Sequence, residues 1–217
     1  MSESPIPSSD VAFSPAVKAV QERRGSRQAY ARKEMKGGFR TTITPDLAAF
    51  LKHATSFYLA TASADGQPYM QHRGGPPGFL AVLDERTLGF ADFSGNRQYI
   101  TTGNLSENPR ALIFVMDYAH RQRVKIWGRA RTIENDPALT ARLFPQGTEA
   151  RAEQAIVFAV QAWDSNCQQH IPRLLPAQDV ARAIAQFQAR MRELEAENAA
   201  LKARIGTLDA QAASQRA

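Results

Sequence analysis

The sequence predicts a mainly β, α+β protein: a six-stranded antiparallel split β-barrel followed by a long C-terminal helix. Three observations carry this reading. Between residues 56 and 164, short apolar segments of period two alternate with tight turn signals, the pattern of hairpins rather than of strands joined by crossover helices. No glycine fingerprint of a doubly wound nucleotide-binding sheet occurs. After residue 180 the apolar period becomes seven and holds for about four heptads.

The chain has 217 residues, 43% hydrophobic and 22% charged, enough for one domain with a sizeable core and two appendages. We divide it into a basic N-terminal arm (1–43), a split-barrel domain (44–177) and a coiled-coil helix with its tail (178–217). Residues 1–15 read as disordered. Residues 16–36 read as helical, broken at Gly25-Ser26 and stopped by Gly37-Gly38. Thr44-Pro45-Asp46 is an N-cap followed by Pro at the first helical position, opening a short helix.

The barrel follows. SFYLATAS (56–63) and PYMQHR (68–73) flank an Asp65-Gly66 turn. LAVLDE (80–85) and TLGFADF (87–93) flank Glu85-Arg86. Tyr99, Ile100 and Leu105 are spaced for a short helix. RALIFVMDY (110–118) is a near-continuous apolar strand. In RVKIWGRARTI (123–133), Arg123, Lys125, Trp127, Arg129 and Arg131 face one way, and Val124, Ile126, Gly128 and Ala130 the other. A short helix follows Asp136-Pro137, then the strand AIVFAVQAWD (155–164).

The C-terminal seam runs Val180, Ile184, Phe187, Met191, Leu194, Asn198, Leu201, Ile205, Leu208, with gaps of four and three in strict alternation. Asn198 is its one polar member and takes an a position, which favours a parallel two-stranded register.

The formal charge is +6, and the segment from Lys18 to Arg40 carries the whole excess, with eight Lys and Arg against Glu22 and Glu34. Only Tyr30 and Phe39 interleave with these charges, so no base-stacking platform is evident and nucleic acid is not an expected partner. The single cysteine, Cys167, cannot form an internal disulfide, which fits a reducing, cytoplasmic setting. The first residues lack the layout of a signal peptide. No apolar run approaches the roughly 18 residues of a membrane span.

No Walker loop, HExxH, GxSxG or CxxC is present, and the four histidines have no metal-ligand spacing. What remains is a distributed anion site. Arg73 precedes the backbone-rich stretch GGPPG. Asn96 and Arg97 are expected to open a helix, where free N–H groups and the dipole favour phosphate. Arg123 begins the basic face of the alternating strand.

The order RGGPPGFLAVLDERTLGFADFSGNRQYITTGNLSENPRALIFVMDYAHRQRVKIWGRARTI resembles the flavin-binding core of the pyridoxamine 5′-phosphate oxidase-like split-barrel family, over about residues 45–170. WDSNCQQHIP (163–172) is similar to a segment of that family's flavin-nucleotide-binding branch. The resemblance implies a homodimer with FMN in a cleft between subunits. It implies Arg73, Gly74, Gly75 and the adjoining Pro76 along the flavin ring and ribityl chain, the two glycines letting backbone donors approach it. It places Phe90 and Ala91 on a lining strand, Asn96 and Arg97 on the phosphate, and Arg123 near the flavin. Trp163, Asn166 and Gln169 would come from the other subunit, with Trp163 expected to be exposed. The arginine and histidine substrate clamp of the vitamin B6 oxidases is absent from the C-terminus, so that reaction is not favoured. The readings left open are an FMN-dependent oxidoreductase acting on a small-molecule substrate or reductant, a non-catalytic flavin carrier or sensor, and a split barrel holding haem or a deazaflavin, with His72 or His170 as haem ligand.

Overall fold

The computed structural model describes residues 6–145, 151–165 and 168–215. Contacts divide the chain into two compact units, Met1–Ile171 and Pro172–Ala217. The first opens with a 3₁₀ turn (Ser8–Val11) and helices α1 (Pro15–Arg23), α2 (Arg27–Met35) and α3 (Pro45–His53). Then come β1 (Ser56–Ala62), β2 (Pro68–Gly74), β3 (Ala81–Asp84), β4 (Thr87–Phe93), α4 (Ile100–Glu107), β5 (Arg110–Asp117), β6 (Gln122–Ile133), α5 (Pro137–Leu143) and β7 (Ala152–Ser165). The second unit carries α6 (Ala177–Ser214). No described helix is long and apolar enough to cross a membrane.

Three helices start by one device, a short polar side chain followed by Pro. The N–H of Val17 donates to Ser14 Oγ at 3.3 Å, that of Leu47 to Thr44 Oγ1 at 3.3 Å, and that of Leu139 to Asp136 Oδ1 at 2.8 Å. Each bond satisfies one orphan donor of a first turn, and Pro at the first position has no N–H to leave unpaired.

Seven strands, not six, form the sheet, in the order β2-β1-β5-β6-β7-β4-β3. Every pairing is antiparallel. All seven correspond to segments named from the sequence; β3, within LAVLDE, pairs with β4 alone and takes the edge. Asp84 Oδ1 accepts from the Arg86 N–H at 2.8 Å, tightening the turn that folds β3 back on β4. The alternation of β6 is as expected, with Val124, Ile126, Gly128 and Ala130 buried. The main core joins Phe57, Leu59, Phe79, Phe90, Ile113, Ile126, Ile156 and Phe158. Each large side chain so buried contributes about 1.5–3 kcal/mol. The rings of Phe57 on β1 and Phe90 on β4 meet edge to face at 5.1 Å, so strands from opposite ends of the sheet share one core.

Residues 6–15, expected to be disordered, are docked. Ser9 is fully buried, and Ser8 Oγ donates to Gly37 O at 2.8 Å. Phe39 stacks on Trp127 at 5.3 Å and meets Phe13 edge-on at 5.3 Å. The basic segment lies on its own sheet, with Lys18 paired to Asp10, Arg27 to Glu34, and Lys33 to Asp164. These pairs compensate part of the charge that composition alone shows as a basic excess.

A second correction concerns α4. It begins at Ile100, not at Asn96. Arg97 has φ 60° and Tyr99 φ 53°, left-handed conformations that cannot continue a right-handed helix.

Candidate functional site

The stretch QHRGGPPGFL is explained first by packing. Phe79 N–H bonds to Pro76 O at 3.0 Å, and Gly78 has φ 87°. Pro77 and Gly78 are thus the central residues of a type II turn. The turn sends Phe79 back into the core, where its ring stacks on Phe57 at 5.4 Å. A Cβ on Gly75 would lie 2.6 Å from Phe79 Cγ. Gly75 is therefore small because Phe79 occupies the space beside it, and its N–H already bonds Thr55 O at 3.0 Å.

The candidate site lies where β2 approaches β4, the loop 94–99 and the start of α4. Alternation along β2 turns Tyr69, Gln71 and Arg73 inward and leaves Met70 and His72 exposed. Arg73 forms an ion pair with Asp92 of β4, each side chain only 12% exposed. The second oxygen of Asp92 accepts from Gln154 Nε2 at 2.8 Å, and Gln154 Nε2 also donates to Thr102 Oγ1 at 2.9 Å. Thr101 Oγ1 donates to Gln71 Oε1 at 2.9 Å. These bonds tie two strands, β7 and α4 into one polar wall, and the low local dielectric makes each of them more consequential than it is in water.

Two features of this wall point to a ligand. The Arg73 Nε–H is buried with no acceptor among the described residues. A buried donor left unpaired costs about 1–3 kcal/mol. The loop is also strained, since Arg97 and Tyr99 both hold positive φ, at about 1–2 kcal/mol each. Such strain concentrates at binding sites. The Arg97 side chain is exposed, with Nε–H donating to Tyr99 Oη at 3.3 Å. That hydrogen bond, with the charges of Tyr99 and Glu153, raises its already high pKa, so Arg97 stays cationic. The Gln98 N–H bonds Asn96 Oδ1 at 3.3 Å, which holds the turn.

Of the expected residues, the pocket brings together Arg73, Asn96 and Arg97. Gly74, Gly75 and Pro76 do not line it. Phe90 and Ala91 lie on the neighbouring strand, but their side chains are 1% and 5% exposed and belong to the two core clusters. Arg123 and Trp163 line a different pocket, with Arg40, Phe50 and Gln168. Trp163 is not exposed. It is 4% accessible, its Nε1–H donates to Thr42 O at 2.7 Å, and the Arg40 guanidinium lies over its ring at 4.9 Å. The segment before α3 pairs with β7 there and covers the indole. Gln169 is exposed in the turn after β7. Asn166, like Cys167, lies outside the described residues. Sequence reading missed Asp92, Gln154, Thr101 and Thr102. A signal existed for the first two: Asp92 interrupts the apolar strand TLGFADF, and Gln154 immediately precedes the apolar run AIVF (155–158) on the strand paired with it.

The family model described as pyridoxamine 5′-phosphate oxidase matches residues 43–167, more than half the chain. The chain belongs to that family. The pyridoxamine 5′-phosphate oxidase core thus spans α3 to β7, including the wall of Arg73, Asp92 and Gln154. Solved structures similar to the chain include HupZ of Group A Streptococcus, at 16% identity, covering 61% of this chain and 99% of that one with a TM-score of 0.48. A Clostridium acetobutylicum protein related to general stress protein 26, of the pyridoxinephosphate oxidase family, is 11% identical, with 58% and 89% covered and a TM-score of 0.41. The haem storage protein HutZ of Vibrio cholerae is 18% identical, with 55% and 89% covered and a TM-score of 0.39. At these identities nothing about ligand or reaction passes from them to this chain. No curated protein matches it.

The donor set of the pocket fits a phosphorylated ligand. Arg97 lies at the rim with no carboxylate paired to it among the described residues, and Arg73 Nε is a buried donor with no acceptor among them. The Arg73 charge itself is compensated by Asp92.

Proposed function

We propose that this protein is an FMN-binding flavoprotein, working as a homodimer and as an oxidoreductase on a small molecule. The observation that carries the reading is the unpaired, buried Arg73 Nε beside the strained, cationic Arg97, inside the family's core. Arg97 would hold the phosphate through charge-assisted hydrogen bonds. Arg73 Nε would donate to a polar atom of the cofactor. Asp92 and Gln154 would hold the Arg73 guanidinium in place. Bound FMN would supply the redox chemistry. The pocket of a single chain encloses only about 40 Å³, which suits completion by a second subunit. Gln169, exposed in the turn after β7, is a candidate for that contribution to the partner's site.

The test is the small molecule released on denaturing purified protein. FMN by mass, with flavin absorbance, is the expected result. Haem, a deazaflavin or FAD in its place overturns the assignment. Steady-state reduction of the bound flavin by NADH or NADPH separates an oxidoreductase from a carrier. A protein that holds FMN but is reduced by neither, and that does not turn over with a panel of small acceptors, is a carrier or sensor. For the haem reading, His72 is exposed on β2 with its ring edge-on to Tyr58 at 5.6 Å, and His170 is exposed in the turn after β7.

A further inference from the structure

The second unit carries an apolar surface that the flavin reading does not use. α6 is a 38-residue helix. Its seam residues are all open to solvent, from Val180 at 40% exposed to Phe187 at 73%, and Asn198 lies among them, exposed as well. A single helix with such a stripe gains little from its own backbone bonds, and most helix stability comes from covering an apolar face. A stripe of this kind marks an interaction surface.

We propose that α6 pairs in parallel and in register with α6 of a second copy of this chain. The period comes first. A strict repeat of seven keeps one stripe facing a partner helix as the pair supercoils, whereas packing on a globular domain needs a wider stripe of period 3.6. Charge comes second. The seam places Arg190, Glu197 and Arg204 at g positions and Glu195, Lys202 and Asp209 at the e positions five residues on. In a parallel pair, each g residue faces the e residue of the next heptad on the partner. All three such pairs then join opposite charges: Arg190 with Glu195, Glu197 with Lys202, and Arg204 with Asp209. An antiparallel pair can also match charges, by setting Glu197 against Arg204 and Glu195 against Lys202. That alignment places Asn198 against Leu201, and burying the amide without a partner is unfavourable. Only the parallel register sets Asn198 against its own copy, where the two amides bond to each other. The polar seam residue therefore decides a direction that charge alone leaves open.

The test uses the full chain with Cys167→Ser, so that only an introduced thiol reacts. Leu201→Cys places a thiol in the seam, and Ala203→Cys places one on the outer face two residues away. Mild oxidation is expected to join chains through residue 201 at least about tenfold faster than through residue 203, with helix content by circular dichroism unchanged. Equal rates, with the helix intact, overturn the proposal. A second measurement leaves the seam untouched. Glu197→Lys is expected to lower the temperature at which the helix melts, and adding Lys202→Glu is expected to restore it. Residues 197 and 202 do not meet on one helix, so restoration reads contact between helices. A double variant that melts lower than the single one indicates antiparallel pairing. No effect in either variant indicates no pairing of α6 with itself. Both results overturn the proposal.

Discussion

The Arg73 guanidinium on β2 is ion-paired with the Asp92 carboxylate on β4, and those strands lie near opposite ends of the sheet. One contact therefore fastens the barrel and shapes the candidate site. Removing one partner strands the other charge in a nearly closed setting. Arg73→Ala and Asp92→Ala should each lower the free energy of unfolding by about 3 kcal/mol. The double variant should lose clearly less than the sum, because the second removal leaves no charge behind. Denaturant unfolding of the four proteins checks this, and additive losses would show that the pair is not coupled.

Arg97 sets stability against binding. Its φ of 60° is strained by about 1–2 kcal/mol for a residue with a Cβ. Glycine removes that strain, while the freer unfolded chain takes back about 0.4–1 kcal/mol. Arg97→Gly should therefore unfold at slightly higher denaturant than the parent. In the proposed site the same change removes the group that would hold the phosphate, worth about 1.5–3 kcal/mol for a charge-assisted bond. FMN affinity should fall about tenfold to a hundredfold. Parallel unfolding and fluorescence titrations check both halves. FMN binding at parental strength would remove Arg97 from the site.

Gly75 and Gly78 are needed for different reasons, and substitution separates them. Gly75→Ala drives a Cβ into the Phe79 ring and should cost about 1–3 kcal/mol by overpacking. Gly78→Ala meets nothing within 4 Å and should cost about 1–2 kcal/mol through its left-handed backbone. In double-mutant cycles Phe79→Ala, which removes Cγ and Cδ2, should couple to the first loss and not to the second, since the added Cβ meets Phe79 only from Gly75. Unfolding without any added flavin is the relevant measurement. A Gly75→Ala protein of parental stability that only binds flavin poorly would return this glycine to the cofactor.

Two hairpin turns should contribute to acid sensitivity of the domain. Asp84 is held below the usual carboxylate range, chiefly by the Arg86 N–H and then by the Thr87 hydroxyl. Asp65 is held below it, chiefly by the Ser63 hydroxyl and then by the Gln67 N–H. A depressed folded pKa means that the unfolded chain binds the proton more readily. The stabilisation is complete above the unfolded value of about 3.9 and is lost as pH falls through the folded one. Asp65→Asn with Asp84→Asn should flatten the fall in melting temperature below about pH 4. An unchanged acid limb would place the sensitivity elsewhere.

Much of the fold was legible because its signals are local. Period two marked the hairpins. Thr44-Pro45 and Asp136-Pro137 carry their own caps, since each helix start needs only the residue before it and the N–H three residues on. Residues 6–15 were not legible, because Ser9 and Phe13 have no periodic context and are ordered by distant partners such as Phe39.

By itself, then, the sequence determined the antiparallel hairpins, the alternation of β6 and the heptad pattern of α6, and it named Arg73, Asn96 and Arg97, which the structure brings to one pocket. Each rests on residue type and spacing within a short window, or on a family pattern across consecutive elements. Only the tertiary structure decided the strand order, which puts β3 at an edge, that Trp163 is buried under Arg40 and that Arg123 lines another pocket. It also decided that Gly75 serves Phe79 and that Asp92 neutralises Arg73. Those facts depend on which strands meet across the ends of a curved sheet. Residues 73 and 92 come together because β1 and β4 share the Phe57–Phe90 core, a contact between segments more than thirty residues apart that no local pattern encodes.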